Sequence, residues 1–194
     1  MIADIVMPAE VSAADVQDSP ETRMRAAKEA SRDVARLTSD GKVTALHAIA
    51  DALTAASGDI IAANALDLAR GAEDGIGDGL LDRLRLDEKR IAALAGAVRE
   101  VAALPDPVGR VVGGHRMPNG VALEQVRVPF GVVGAIYEAR PNVTVDIAAL
   151  ALRSGNAAVL RGGSAARESN TVLVRVMRDA LVSAGVTAEA IQTV

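Results

Sequence analysis

Two short polar segments stand out because each follows an apolar run of strand length. Residues 138–142 lie at the end of the apolar run that starts at Gly131. Residues 161–164 lie at the end of the apolar run that starts at Ala157. Their amide, hydroxyl and guanidinium groups can donate hydrogen bonds to anionic oxygens. In open α/β sheets, ligands bind beyond the carboxyl ends of the strands, where helix N-termini also present free N–H groups. The two segments therefore predict a ligand site at one edge of a sheet.

The elements around these segments alternate between strand and helix. Residues 131–139 and 157–161 predict two buried strands, whereas residues 141–153 and the stretch after Ser164 have helical patterns. Short loops join them, which is typical of a βαβα unit with parallel strands and a right-handed crossover. Residues 192–194 resemble the start of another strand, and the chain stops there. We therefore expect a truncated α/β, Rossmann-like unit that belongs to a longer protein.

The preceding part of the chain predicts helices without a catalytic constellation. Ser19, Pro20 and Glu21 are typical of a helix start. Further apolar stripes recur at helical spacing, and Asp87 is expected to cap a helix that ends before Pro105. We therefore assign residues 1–107 to a helical part of a nucleotide-binding domain.

A β-hairpin is predicted between the helical part and the βαβα unit. Residues 109–117 and 121–128 are rich in β-branched side chains and flank Asn119-Gly120. Asn and Gly both tolerate positive φ, so this pair is a strong hairpin signal. An isolated two-stranded hairpin is marginally stable in water. We therefore expect residues 108–128 to protrude and to support homo-oligomer formation by lying against another subunit.

Composition excludes several classes of function. A net charge of −4 and the presence of one Phe, one Tyr and no Trp argue against nucleic-acid binding. The chain has no Cys, which excludes disulfides, thiolate metal sites and a cysteine nucleophile within it. His47 and His115 lie far apart in the sequence, so no metal site is predicted. There is no apolar run of about 18 residues and no basic N-terminal signal region, so we expect a cytoplasmic protein without a membrane partner.

A family resemblance is carried by the region of the two polar segments. Its glycines do not form the GxGxxG fingerprint, because Gly131 and Gly134 lie in the predicted strand itself. The run PFGVVGAIYEARPNVTVDIAALALRSGNAAVLRGGSAA instead closely resembles the glutamate-5-semialdehyde dehydrogenases, or γ-glutamyl phosphate reductases, of the aldehyde dehydrogenase superfamily. YEARPNVT and GNAAVLRGG are specific to this branch, since the wider superfamily has Pro-Trp-Asn at residues 140–142 and Lys-Pro-Ser-Glu at residues 161–164.

The resemblance spans residues 20 to 194 approximately and covers the front part of such an enzyme. It implies NADPH-dependent reduction of an acyl phosphate, L-glutamyl 5-phosphate, to the semialdehyde with release of phosphate, in proline biosynthesis. It also implies a catalytic Cys and a substrate domain that follow this part, so residues 129–194 would be the Rossmann-like part of the NADP-binding domain and the isolated chain would be inactive.

The resemblance places Asn142 at the position of an oxyanion-hole amide. The residues alone favour Asn142 as the N-cap of the following helix, where its oxygen would accept from the backbone. Both roles are compatible, because the amide nitrogen would still be free to donate. Asp146, one turn later, complements the helix dipole or orients Asn142.

The resemblance also places the cofactor against residues of both polar segments. Arg161 would contact the adenosine ribose or its 2′-phosphate, and Ser164 stands where NAD-preferring relatives often have an acid that would repel a 2′-phosphate. These residues predict NADP(H) over NAD(H). The full set of predicted cofactor-binding residues is Tyr137, Glu138, Arg140, Arg161, Gly162, Gly163 and Ser164.

Other interpretations remain open from the sequence. Tyr137 could line the nicotinamide pocket or pack in the core, and Phe130 is expected to pack in the core where the hairpin returns to the sheet. The chain could be a non-catalytic nucleotide-binding or oligomerisation fragment, because it has no Cys. It could also belong to another acylating aldehyde dehydrogenase.

Overall fold

The computed structural model of the protein describes residues 19–194 as a helical region, a hairpin and a small parallel sheet with two helices. The part of the predicted helical unit that precedes Ser19 lies outside the described residues. The first region comprises α1 (Pro20–Arg36), α2 (Ser39–Ala55), α3 (Ser57–Glu73), α4 (Asp78–Leu84) and α5 (Glu88–Ala103). The hairpin consists of β1 (Val111–Arg116) and β2 (Ala122–Val126). The last region comprises β3 (Val132–Ile136), α6 (Pro141–Arg153), β4 (Ala157–Arg161), α7 (Arg167–Ser183) and β5 (Ile191–Thr193), with short 3₁₀ turns at Ser164–Ala166 and Ala188–Ala190.

Side-chain caps fix where several helices of the first region begin. The Ser19 hydroxyl accepts from the Thr22 N–H at 3.2 Å, and the Asp87 carboxylate accepts from the Arg90 N–H at 2.7 Å. Thr38 caps α2 in the same way. Each cap satisfies one of the N–H groups that a helix start leaves without a partner. The two starts predicted at Ser19 and Asp87 are therefore found in the structure.

The sheet has the strand order β3-β4-β5, and both pairs are parallel. Ile136 at the end of β3 lies opposite Arg161 at the end of β4, and Leu160 lies opposite Thr193 of β5. The predicted βαβα unit with parallel strands is confirmed. Strand β3 ends at Ile136 and is therefore shorter than the predicted run of residues 131–139.

One aliphatic core joins the helical region to the sheet. It is packed from α2, α5, α6 and α7 against β4 and β5, and its largest fully buried apolar side chains include Leu46, Ile49, Leu53, Leu160, Leu173 and Met177. In the part of the chain that the structure describes, no single helix is both long and apolar enough to cross a membrane. Only α2 and α3 taken together, as a pair bent by 67°, would reach that length.

Phe130 does not lie in this core, so the expectation for it is wrong. Its side chain is 89% exposed. It borders a groove of about 620 Å³ whose apolar lining includes Val128, Val133, Ile147 and Leu150. The physical reason is that this face of β3 and α6 is covered by no element among residues 19–194.

The hairpin is antiparallel and solvent-exposed along both strands. Val111 pairs with Val126 and Arg116 pairs with Ala122, with an irregularity in register near the start of β1. Gly120 in the turn has φ 87°, a value that favours glycine. The hairpin predicted around Asn119-Gly120 is therefore found, with shorter strands than expected.

A buried ion pair ties the base of the hairpin to the helical region. The Lys42 side chain is only 1% exposed, and its Nζ donates to both carboxylate oxygens of Asp106, at 2.9 and 3.1 Å. Asp106 also accepts from the Val108 N–H at 2.9 Å. Burial alone would raise the pKa of the Asp106 carboxyl, but this N–H and the Lys42 and Arg153 charges together lower it below the ordinary value.

We expect Asp106→Asn to lower the free energy of unfolding by about 3 kcal/mol at neutral pH, because the buried Lys42 ammonium would lose its counter-charge. The pKa of Asp106 is lowered by folding, so its contribution is present above its unfolded pKa and is lost as the pH falls through the folded value. Urea unfolding at about pH 7 and about pH 3 should show that the difference between the wild-type and variant proteins shrinks in acid.

A matched control is Asp51→Asn, which removes the exposed ion pair between Asp51 and Arg99. This change should cost less than about 1 kcal/mol. A destabilisation by Asp106→Asn no larger than that of the control would contradict a structural role for the buried pair.

Candidate functional site

The two polar segments meet at the same edge of the sheet. The Tyr137 N–H donates to the Arg161 carbonyl at 3.1 Å, which extends the β3–β4 pairing by one step. Beyond this bond the backbones are in close contact, because a Cβ on Gly163 would lie 3.2 Å from the Ala139 nitrogen and from the Glu138 carbonyl carbon. A side chain larger than that of glycine would push the two segments apart.

A chain of hydrogen bonds locks the first segment onto the helices behind it. The Tyr137 hydroxyl lies 2.6 Å from Thr144 Oγ1, which in turn donates to Asn170 Oδ1 at 2.7 Å. Since the Thr144 proton goes to Asn170, the Tyr137 hydroxyl is the donor in the first bond. Burial raises the pKa of Tyr137, so this phenol stays protonated and keeps donating. The hydroxyl of Tyr137 is thus directed into the fold.

The start of α6 differs from the predicted capping arrangement. Arg140 occupies the N-cap position without a side-chain cap, and Pro141 is the first helical residue. Proline is favoured there because its φ suits a helix and it has no N–H to satisfy. Asn142 is therefore inside the first turn and is not the cap. Its amide instead donates to Asp146 Oδ2 at 3.2 Å, so Asp146 does hold Asn142.

Asn142 and Asp146 border a groove of about 580 Å³ between the start of α6 and one face of α5, which we call the α5–α6 groove. Burial raises the pKa of the Asp146 carboxyl, while the hydrogen bond from Asn142 works in the opposite direction. Besides these two residues, the groove is lined by Asp82, Arg83, Arg85, Leu86, Arg90, Ala93, Leu94, Ala97 and Arg140.

The second polar segment leaves β4 with its side chains exposed. Arg161 is exposed, and its Nη1 lies 3.5 Å from the neighbouring Gly162 carbonyl, a weak contact that leaves the guanidinium available. Ser164 is exposed at the start of the 3₁₀ turn that leads into α7. Glu138 and Arg140 of the first segment are exposed as well. The two segments that carry the predicted cofactor-binding residues thus lie together at one edge, with Gly162 and Gly163 at their contact. The Tyr137 hydroxyl is directed into the fold, and Arg140 borders the α5–α6 groove.

The beginning of α7 is held by a buried carboxylate that the sequence interpretation missed. Asp67 on α3 is fully buried and accepts from the Ser169 N–H at 2.8 Å, the Ser169 hydroxyl at 2.7 Å and the Glu168 N–H at 3.1 Å. Arg70 pairs with the same carboxylate. These N–H groups are therefore already occupied and are not free for an anion. The signal in the sequence is the position of Asp67 on the stripe of α3 that also carries Ile60 and Asn64.

The described residues contain no group of three or more His, Asp or Glu side chains that could hold a metal ion.

Comparison with known proteins supports the family resemblance over nearly the whole chain. No protein-family model matches the sequence. The γ-glutamyl phosphate reductase of Kineococcus radiotolerans is 58% identical over 187 residues, which are 96% of this chain and 43% of that protein. The γ-glutamyl phosphate reductase of Leifsonia xyli is 59% identical over 89% of this chain and 41% of its own length.

Solved structures agree in fold. The γ-glutamyl phosphate reductase of Thermotoga maritima superposes with a TM-score of 0.86 at 37% identity, over 89% of this chain and 42% of that chain. The γ-glutamyl phosphate reductase of Saccharomyces cerevisiae superposes with a TM-score of 0.84 at 32% identity, over 91% of this chain and 46% of that chain. An acetylating aldehyde dehydrogenase from Geobacillus thermoglucosidasius superposes with a TM-score of 0.65 at 17% identity, over 89% of this chain and 35% of that chain. A likeness at this low identity shows the fold alone.

The chain therefore spans less than half of the length of these relatives. The predicted resemblance to the γ-glutamyl phosphate reductases, limited to an N-terminal part, is confirmed, and so is the truncated aldehyde dehydrogenase-like α/β fold.

We expect Gly162→Ala to destabilise the protein by about 1–3 kcal/mol, because overpacking forces its neighbours to move. An added Cβ would lie 2.1 Å from Asn170 Nδ2 and 3.3 Å from Tyr137 Cε2, so it would break the hydrogen-bond chain through Thr144. Thermal and urea unfolding measure the change in stability.

The matched control is Gly96→Ala on α5, where a Cβ meets open space. That helix-interior change should stabilise by about 0.5–1 kcal/mol. Equal stabilities for the two variants would contradict the tight contact.

Proposed function

We propose that this chain, whose sequence is similar to an N-terminal part of the γ-glutamyl phosphate reductases, supplies the cofactor-binding part of such an enzyme in the cytoplasm. The reaction is the NADPH-dependent reduction of L-glutamyl 5-phosphate to L-glutamate 5-semialdehyde and phosphate, a step of proline biosynthesis. The observation that carries the proposal is the meeting of residues 138–142 and 161–164 at one sheet edge, in a chain 58% identical to such a reductase.

The residues at this edge fit a nicotinamide dinucleotide that carries a 2′-phosphate. Arg161 and Ser164 are both exposed and follow the same strand end, so a guanidinium and a hydroxyl are available on one side. A guanidinium pairs with phosphate through charge-assisted hydrogen bonds, and Ser carries no charge that would repel one. Gly162 and Gly163, with Glu138, Tyr137 and Arg140 of the facing segment, would form the rest of the bed for the cofactor. When bound, the nicotinamide would supply the hydride of the reduction.

Asn142 would bind the oxygen of the reacting acyl group. One N–H of its amide goes to Asp146, and the other has no partner among residues 19–194. This free N–H borders the α5–α6 groove, from which an acyl group can approach. Negative charge develops on that oxygen when a nucleophile attacks the acyl carbon, so a donor already held in place lowers the barrier. Asp146 preorganises the donor by fixing the orientation of the amide.

The nucleophile would come from outside these residues. The chain contains no Cys, whereas the family chemistry uses a thiolate, so we propose that the 194-residue chain alone catalyses no reduction. The solved acetylating aldehyde dehydrogenase is only 17% identical, which gives the alternative of another acylating enzyme less support than the reductases at 58–59%.

The hairpin would carry contacts between subunits. Its apolar side chains are exposed, including Val111 at 56%, Leu123 at 46% and Val126 at 43%. Exposed apolar surface of this kind is typical of an interaction site.

We expect Leu123→Asp to lower the mass of the assembly measured by sedimentation, because a charge would be placed in the contact between subunits, while Glu124→Gln beside it leaves the mass unchanged. A monomeric wild-type protein would contradict the proposal.

We expect Arg161→Ala to raise the Kd for NADPH by about tenfold and the Kd for NADH little, because one charge-assisted hydrogen bond to phosphate is lost. Isothermal titration with both cofactors measures this, with Arg167→Ala as the control for a nearby exposed arginine. Equal Kd values of the wild-type protein for NADPH and NADH would defeat the 2′-phosphate argument.

We expect Asn142→Ala in the reductase that contains this chain to lower kcat by about 10²–10³, as loss of one oxyanion donor does. The melting temperature should change little, because Asn142 is exposed and caps no helix. Steady-state kinetics and thermal unfolding of the same preparations separate the two effects. A normal kcat would exclude Asn142 from the oxyanion site.

A further inference from the structure

The α5–α6 groove carries charged groups whose hydrogen-bonding capacity is not filled by residues 19–194. One oxygen of the Asp146 carboxylate, Oδ2, accepts a hydrogen bond from the Asn142 amide. The other oxygen accepts no hydrogen bond from residues 19–194. Asp146 is only partly exposed, and burial raises its pKa. A desolvated carboxylate with a free oxygen favours a cationic partner.

Arginine side chains of the same groove also lack partners. Arg83 and Arg85 make no side-chain hydrogen bond or ion pair with any residue the structure describes, although both border the groove. Arg90 beside them is held by Asp82, with 2.7 Å between Nη2 and Oδ1. Arg140 borders the groove as well and likewise makes no side-chain hydrogen bond or ion pair with residues 19–194. Free guanidinium groups of this kind favour an anionic oxygen, preferably a carboxylate or phosphate.

The spacing of Asn142 and Asp146 matches the length of a glutamyl chain. The two side chains are one helical turn apart, at positions whose Cβ atoms are separated by about 5–6 Å. In a glutamyl group, four covalent bonds separate the acyl carbon from the α-nitrogen. When the acyl oxygen accepts from the Asn142 amide, the α-ammonium can therefore reach the free oxygen of Asp146.

We propose that the α5–α6 groove is the specificity site for the amino-acid end of the substrate: Asp146 binds the α-ammonium, and Arg83 and Arg85 receive the α-carboxylate. The inference rests on the proposed function, because the acyl group at Asn142 fixes which end of the substrate enters the groove. An acyl group without a charged α-centre would leave the carboxylate and the two guanidinium groups unpaired in the groove, so it would bind more weakly.

Three stable hydroxamates separate the two charged contacts. L-Glutamate 5-hydroxamate carries both the α-ammonium and the α-carboxylate. 4-Aminobutanohydroxamate keeps the ammonium and lacks the carboxylate, whereas glutaric monohydroxamate keeps the carboxylate and lacks the ammonium. Each probe is titrated into the full 194-residue chain, and backbone amide shifts in ¹H–¹⁵N spectra give the binding site and the Kd.

The wild-type chain should bind L-glutamate 5-hydroxamate more tightly than either analogue, with shifts at Asn142, Asp146 and the facing turns of α5. Asp146→Asn should weaken the two ammonium-bearing probes by about tenfold and leave glutaric monohydroxamate unaffected. Arg83→Gln and Arg85→Gln should weaken the two carboxylate-bearing probes and leave 4-aminobutanohydroxamate unaffected. Asp179→Asn and Arg32→Gln, at exposed positions outside the groove, are the matched controls.

The proposal is overturned if no groove amide shifts with L-glutamate 5-hydroxamate, or if Asp146→Asn weakens all three probes equally. The second result would mean that Asp146 serves only to orient Asn142. Titration of the same samples with NADPH tests the proposed function separately, through shifts at residues 161–164. Cofactor shifts without groove shifts would reject the groove assignment alone, and groove shifts without cofactor shifts would reject the cofactor assignment alone.

Discussion

The parallel pairing of β3 with β4 is the constraint on which the rest of the site depends. Ile136 lies opposite Arg161, so both strands end at the same level and release their loops side by side. The Tyr137 N–H then bonds to the Arg161 carbonyl, which keeps the loops together for one further residue. A shift of one residue in this register would turn every side chain of β4 to the other face of the sheet. The position of Arg161 relative to Asn142 would be lost with it.

The two loops are held in close contact by a glycine between them and by hydrogen-bonded polar groups behind them. Gly163 lets the segments touch, and the Tyr137–Thr144–Asn170 chain fixes the first segment against the helices. Asp67 fixes the start of α7 by accepting three hydrogen bonds from residues 168–169. Fully satisfied buried networks of this kind hold one arrangement, since any alternative leaves a buried group without a partner. The loops at this edge are thus held in place by hydrogen bonds within the fold itself.

The start of α6 lies between the sheet edge that carries residues 138–142 and 161–164 and the α5–α6 groove. Asn142 faces the groove from the first helical turn, and Asp146 orients it from the second. Because both are on one helix whose inner face is packed in the core, their separation is fixed by helix geometry. Residues for the cofactor, the acyl oxygen and the amino-acid end of a substrate would then lie in sequence along one surface of the molecule.

Much of the fold follows from local signals in the sequence. Ser19 and Asp87 begin helices because their side chains replace missing backbone partners within a few residues. Asn119-Gly120 lies at the hairpin turn because glycine readily adopts the positive φ that Gly120 has, whereas Asn119 does not use the positive φ that it tolerates. The order of apolar runs, with short loops between them, determines the parallel βαβα unit. The resemblance to the reductases likewise lies in contiguous strings, so it needs no coordinates.

The tertiary structure alone decided which groups face one another. The N-cap interpretation of Asn142 was wrong because Pro141 starts the helix one residue earlier and leaves the amide to Asp146. Phe130 is exposed because its face is covered by no described element, which an apolar residue type cannot reveal. The bonds of Asp67 to residues 168–169 join positions about a hundred residues apart. Local sequence encodes backbone preference, whereas such partners are selected by packing of the whole core.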